Sequence, residues 1–145
     1  TRAAMEEGIV PGGGIALFNV VKHLKPAGDD EVAKAARSIL IHALEAPITA
    51  IATNSGESAS SIISRLNNRK EGESWIGFNA MTGAMGDLKA AGIIDPLKVT
   101  KTAFMNALSV ASNYLMVGAA VTDIPKPEAP ASGGMPGGMG GGMGY

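Results

Sequence analysis

The hydrophobic pattern of the chain changes period several times, and each change marks an element. From residue 31 onward, Val32, Ala36, Ile39, Leu40, Ala43 and Leu44 recur at helical spacing, with Lys34, Arg37 and Glu45 on the opposite face. Asp29 and Asp30 precede them as cap and first-turn acids. Pro47 lacks an N–H and crowds the preceding turn, which predicts a break or kink there. A short apolar helix over 48–53 then stops near Asn54, Ser55 and Gly56. Another amphipathic helix follows over 58–66, with Ala59, Ile62, Ile63 and Leu66 inward. Upstream, residues 1–7 read as the tail of a helix that Gly8 stops. Pro11 and Gly12 to Gly14 break the chain before a helix carrying Leu17, Val20, Val21 and Leu24. The most regular stretch is 98–116, where Thr102, Asn106, Ser109 and Asn113 form a narrow polar stripe on an otherwise mostly apolar helix. So little polar surface predicts a helix central to the core.

The remaining segments have no helical period. Residues 67–74 are charged and read as flexible; 75–99 are rich in turn formers, including Gly77, Gly83, Gly86 and Gly92. Within that stretch Asn79 sits beside Ile76 and Phe78, and Asp95 beside Ile93 and Ile94. Apolar neighbours of this kind bury part of a loop, as either a compact connection or one wall of a binding site. Residues 119–124 predict a short strand. From Pro125 the chain is mainly Pro, Ala, Gly and Met, a composition too poor in buriable surface to offset its ordering entropy. The fold expected is mainly α, multihelical, with a few short β-strands over 1–124 and a disordered tail over 125–145.

Composition narrows the partners. Twelve basic and thirteen acidic residues give a net charge of −1, which supplies no electrostatic attraction to nucleic acid or an anionic membrane. No unbroken apolar run is long enough to span a bilayer, and the first residues lack the basic-then-apolar pattern of a secretory signal. Cysteine is absent, so neither a disulfide framework nor thiolate chemistry is available. The chain opens at Thr1 within a helical segment, as an excised piece of a longer protein would.

Few residues offer chemistry. Gly12 to Gly14 at a helix entry are able to admit an anion close to the backbone, but no Lys-Ser/Thr follows and GGGIAL does not fit a dinucleotide fingerprint. Taken alone, this is a helix-entry turn first and a ligand loop second. His23 and His42 have no partner at metal-ligand spacing, and the serines of 55–64 have no histidine base. The adjacent carboxylates Glu6/Glu7 and Asp29/Asp30 do not face one another on a helix. In the tail, Met135, Met139 and Met143 recur among glycines, giving soft apolar contact on a flexible tether.

These pieces together resemble the group I chaperonins, the GroEL-type heat-shock family. The resemblance rests on TRAAMEEGIVPGGGIAL, the EAP at Glu45 to Pro47, the GFNA at Gly77 to Ala80, GIIDPLKVT at Gly92 to Thr100, VTDIP at Val121 to Pro125, and the Gly-Gly-Met tail. It implies the C-terminal half of an equatorial domain, the part of such proteins that binds ATP and makes ring contacts. It further implies that Gly13 lies at the nucleotide, that Asn79 and Ala80 contact adenine with Met81 beside them, and that Asp95 contacts the ribose. Met81 replaces a smaller residue common in the family, and the MTGAMGD run is less acidic than in many members. The expected cofactor is ATP with Mg2+. The family's phosphate-binding Gly-Asp-Gly-Thr-Thr motif and catalytic Asp are expected upstream of Thr1, so no catalytic residue is assigned here. The expected partners are identical subunits in double heptameric rings, a co-chaperonin lid and non-native client proteins, in a cytoplasm of bacterial or organellar type. The alternative is a non-catalytic helical module that binds protein surface and no nucleotide.

Overall fold

A computed structural model of the chain describes residues 1–26, 28–119 and 121. The expected strand over 119–124, apart from Ala119 and Val121, and the expected tail over 125–145 lie outside the described residues. The first helix, α1 (Arg2–Glu7), ends at Gly8, whose φ of 84° suits a residue without a Cβ. Strand β1 (Ile9–Pro11) leads through the glycine turn into α2 (Ile15–Val20) and a single 3₁₀ turn (Val21–His23). Ile15 and Phe18 are the buried residues of α2, whereas Val20 is exposed. The inward face is thus set one position away from the expected one, because the helix begins at Ile15, directly after the turn.

Helix α3 (Glu31–Asn54) starts at Asp30, whose Oδ1 accepts from Val32 N–H at 3.0 Å. Of the break or kink expected at Pro47, the break does not occur: the helix runs on through the proline. The cost of an interior proline is about 3 kcal/mol relative to alanine. Leu44, Ile48 and Ala52 lie at i, i+4 and i+8 on one fully buried stripe spanning the proline. Burying each of the two large side chains contributes about 1.5–3 kcal/mol, enough to hold both halves in one helix. Its N-terminal half behaves otherwise: Val32 and Ile39 are exposed, the latter at 71%. By length and composition α3 is able to cross a membrane, with 24 residues and an 18-residue window of mean hydropathy 1.2, but its C-terminal half is part of the packed core.

Helix α4 (Ala59–Asn67) is capped by Ser58, buries Ile62 and Leu66, and packs on α3 as its pattern requires. The next stretch is more regular than a loop. Strands β2 (Ile76–Asn79) and β3 (Ala84–Asp87) form an antiparallel hairpin, and β4 (Ile94–Pro96) pairs antiparallel with β1. A few short strands were expected, but not at these positions, because the strands are three or four residues long, too short for a period of two to register. Ile15, Phe18, Ile48, Ala52, Ile62, Leu66, Phe78 and Leu88 form one core cluster.

Helix α5 (Leu97–Leu115) has no buried residue, which corrects the expectation of a central helix. It is held by α1 and β4, through ion pairs of Lys98 with Glu6 and of Lys101 with Glu7 and through a Leu97 N–H bond to Gly8 O at 3.1 Å. Its apolar side faces the N-terminal half of α3 across an open groove of about 720 Å³ lined by Leu17, Leu40, Phe104, Leu108 and Leu115. The pattern was read correctly as apolar, but the described chain holds no layer that covers it.

Candidate functional site

Three segments far apart in sequence meet at the glycine turn. Register in the first sheet pairs Val10 with Asp95 and Pro11 with Ile94, and Gly12 N–H donates to Ile93 O at 3.0 Å. A Cβ on Gly12 would stand 3.1 Å from the backbone of Ile93 and Ile94, so the turn lies directly on the segment leading into β4. Gly13 follows with φ 64°. A Cβ there would sit 3.8 Å from Ile93 Cγ2 and 3.9 Å from Phe78 O, between the first sheet and the end of β2. The structure therefore brings Gly13 beside Phe78, the residue before Asn79, and pairs Asp95 with Val10, on the strand that leads into the turn.

Asn79 ends β2 and organises the hairpin tip. Its side-chain Oδ1 accepts from Met81 N–H at 3.0 Å, and its carbonyl accepts from Gly83 N–H at 2.9 Å and Thr82 N–H at 3.2 Å. A backbone N–H can only donate, so the amide atom facing Met81 is oxygen and the Nδ2 group points elsewhere. Ala80 and Met81 form the tip itself; Met81 is 96% exposed. The Asp95 side chain is half-buried and makes no hydrogen bond among the described residues. The arrangement is a surface and not a cavity. It offers a carboxylate able to accept from hydroxyls, an amide N–H donor and a backbone open to close approach. A nucleoside has the matching groups, so these residues fit the adenosine part of ATP. Among the described residues no three or more His, Asp or Glu side chains gather at metal-binding distance.

A residue with no functional signal in the sequence holds the hairpin in place. Arg69 lies in the segment expected to be flexible, yet its Nε donates to Leu66 O at 2.9 Å and its Nη2 to Asn19 Oδ1 at 2.7 Å. Nη1 donates to Ile76 O and, at 3.3 Å, to Glu73 O. The guanidinium also lies over the Phe18 ring, 5.6 Å from its centroid. Burial lowers the Arg69 pKa from its ordinary value, with the Glu73 charge opposing, and the group remains a cation throughout the accessible pH range. The turn after α4 is therefore tied to α2, α4 and the first residue of β2. A lone Arg in a charged run reads as solvated surface, so only its bonds distinguish it.

The chain is α-rich, and its two small sheets bring together a glycine turn, an Asx-closed hairpin and a carboxylate without a hydrogen bond among the described residues. Residues 1–125 match the TCP-1/cpn60 chaperonin family, and the chain belongs to it. Among solved structures it is similar to the open-state monomer of a group II chaperonin from Methanococcoides burtonii, with a TM-score of 0.64 and 26% identity. That match covers 79% of this chain and 30% of the archaeal one, so the chain spans under a third of the chaperonin it resembles.

Proposed function

We propose that the chain is the C-terminal half of the equatorial domain of an ATP-dependent chaperonin of group I, and that it supplies the adenosine side of the nucleotide site. Membership of the chaperonin family supports the class. The sequence blocks around Gly13, Pro47, Asn79 and Asp95, together with the Gly-Gly-Met tail, support group I over the group II relative, which shares 26% identity. The observation that carries the reading is the Gly12 N–H to Ile93 O bond with Phe78 O beside Gly13, which gathers all three candidate segments on one surface. In this reading Asp95 accepts from the ribose hydroxyls, Asn79 Nδ2 donates to a ring nitrogen of the base, and Ala80 and Met81 form the edge against which the base lies. Gly13 lets the ligand approach the backbone. ATP supplies the phosphoryl group whose hydrolysis drives the folding cycle; the phosphate and Mg2+ ligands belong to the rest of the protein. Double heptameric rings, a co-chaperonin lid, non-native clients and a cytoplasmic setting are part of the same proposal.

The test is ATP binding by calorimetry to the full-length, assembled protein. Asp95→Ala removes one charged acceptor, worth about 1.5–3 kcal/mol, and should weaken ATP roughly tenfold to a hundredfold. Glu31→Ala, on the exposed start of α3, should leave it unchanged. Equal affinity in all three proteins would remove Asp95 from the site. The reading of a protein-interaction module without nucleotide is favoured by a different observation, the apolar groove between α3 and α5. Failure of the unmutated protein to bind ATP would move the balance to that reading.

A further inference from the structure

Contacts between the glycine turn with α2 and the chain around β2 follow one another in order along both segments. Gly13 lies beside Phe78 O, where a Cβ would stand 3.9 Å away. Ile15 packs on Gly77 so closely that a Cβ there would meet Ile15 Cγ1 at 2.8 Å. Further along, Asn19 of α2 donates from Nδ2 to Ser74 O at 2.9 Å and accepts at Oδ1 from Arg69 Nη2 at 2.7 Å. Arg69 Nη1 in turn donates to the carbonyl of Ile76, the first residue of β2. The two segments thus run past each other in opposite directions, and both lead away from the candidate site. Helix α2 begins directly after the glycine turn, and β2 ends at Asn79.

The contacts at Gly13 and Gly77 are close approaches without hydrogen bonds, which set a spacing but leave a strand free to slide along its axis. The bonds of Asn19 and Arg69 are directional and set the register. Their chemistry allows one arrangement: a guanidinium only donates and a backbone carbonyl only accepts, so Asn19 presents its oxygen to Arg69 and its NH2 group to Ser74. The Phe18 ring under the guanidinium belongs to the buried core, so the clasp stands on a fixed base. Among the described residues no other hydrogen bond joins α2 to the segment 69–79.

We infer that Asn19 and Arg69 are positioning residues for Asn79, holding β2 in register with the glycine turn so that its last side chain meets the base of a nucleotide. The inference rests on the proposed site in one respect, that Asn79 meets adenine; the clasp itself does not depend on it. Neither residue belongs to the candidate surface, since both bond to backbone at or before the start of β2.

The experiment uses Asn19→Ala in the full-length, assembled protein, read by ATP calorimetry and by peptide-resolved amide exchange. The substitution cuts α2 from the start of β2 but leaves Arg69 its bonds to Leu66, Glu73 and Ile76. ATP should bind about twofold to tenfold more weakly, the worth of one neutral hydrogen bond to the base, with the number of sites unchanged. In the ATP-free protein, exchange should accelerate in the peptide covering Ile76 to Asn79 while α4 keeps its rates. Because Asn19 acts through Asn79, Asn19→Ala should cost no further ATP affinity once Asn79→Ala is present. Ile62→Val, a destabilising change on the buried face of α4, should leave ATP affinity where it is. Losses that multiply in Asn19→Ala/Asn79→Ala, or an equal loss in Ile62→Val, would make Asn19 a general stabiliser and overturn the inference. Unchanged exchange in β2 would overturn the clasp, whether or not ATP binds. Unchanged ATP affinity with faster exchange would overturn the link to the ligand. An unmutated protein that binds no ATP would instead refute the proposed function, and the nucleotide half of this inference with it. Should Asn19→Ala fail to assemble, Asn19→Asp takes its place with the same expectations: it keeps the size and the oxygen for Arg69 but sets an acceptor against Ser74 O.

Discussion

Helices α4 and α5 carry comparable apolar patterns and meet opposite fates. Nine residues of α4 place Ile62 and Leu66 completely inside, against α3 and β2. Nineteen residues of α5 place none inside, although Phe104, Leu108 and Leu115 share a side. Periodicity states which face of a helix must be covered; it does not state that the cover lies in the same stretch of chain. Here α2, the C-terminal half of α3, α4, β2 and Leu88 close on one another, while α5 and the first half of α3 face each other across an open groove. The match to the group II chaperonin covers 30% of that chain.

The sharpest way to break the comparison is to remove a side chain on each side of it. Phe78 is buried in the core, beside the candidate site. Phe78→Ala should lower stability by about 3–5 kcal/mol, read from the denaturant midpoint of chain 1–145, by loss of transfer energy and the cavity left. A loss below about 1 kcal/mol would mean that the core is not packed in solution as it is here. Arg69 comes next. Replacing a cation that satisfies four oxygens, on α2, α4, β2 and the turn before β2, by alanine should cost about 2 kcal/mol. Arg69→Lys should recover only part, since an ammonium lacks the planar fork that reaches Leu66, Ile76 and Asn19 together. Full recovery with Lys would show that charge, and not geometry, is what the turn requires.

How far the sequence was readable follows the same division. Short-range chemistry was legible. The stop at Gly8, the helix start at Asp29 and Asp30 and the inward face of α4 all depend on neighbours a few residues away, and the structure bears them out. The family membership also bears out the chaperonin resemblance at the level of family, though not its group. What failed depends on distant partners. Pro47 does not break α3 because a buried stripe runs past it, and that stripe is defined by α2 and α4. The hairpin was hidden because Gly77 is selected by what touches it: a Cβ there would be 2.5 Å from Leu88 and 2.8 Å from Ile15. In the sequence it reads only as a turn former. Among the candidate site residues, Gly13, Asn79, Ala80, Met81 and Asp95 were named through resemblance, whereas the bonds of Arg69 and the close approach of Gly14 to α3 needed the fold to be seen.

Smaller effects sharpen the other side of the comparison. The α1–α5 contact is carried by Glu6–Lys98 and Glu7–Lys101, both partly exposed. Exposed pairs contribute about 0.2–1 kcal/mol each and are screened by salt. The double variant Lys98→Ala/Lys101→Ala should therefore cost no more than about 1 kcal/mol at low ionic strength. Its difference from the parent should shrink as salt rises from tens of millimolar to about 1 M, where the screening length falls to roughly 3 Å. A loss of several kcal/mol that ignores salt would place this contact with the core and not with the surface.

The smallest expected effect is the one that tests the groove directly. Leu108 and Leu115 are exposed large apolar residues on the open side of α5. Exposed positions away from buried features change stability by about 0.5 kcal/mol or less when substituted. Leu108→Ser/Leu115→Ser should accordingly leave the denaturant midpoint of chain 1–145 nearly where it is, a small fraction of the Phe78→Ala loss. The same change removes apolar surface from a groove of about 720 Å³, and should lower both the binding of a dye for exposed apolar surface and the tendency to self-associate on sizing. In the assembled full-length protein the ranking should reverse toward the core value, because a serine there meets whatever covers the groove and a hydroxyl without a partner is costly to bury. A double variant that destabilises the isolated chain as much as Phe78→Ala would show that α3 and α5 already close on each other in solution. In that case the two helices differ in degree only, and the contrast between α4 and α5 does not hold.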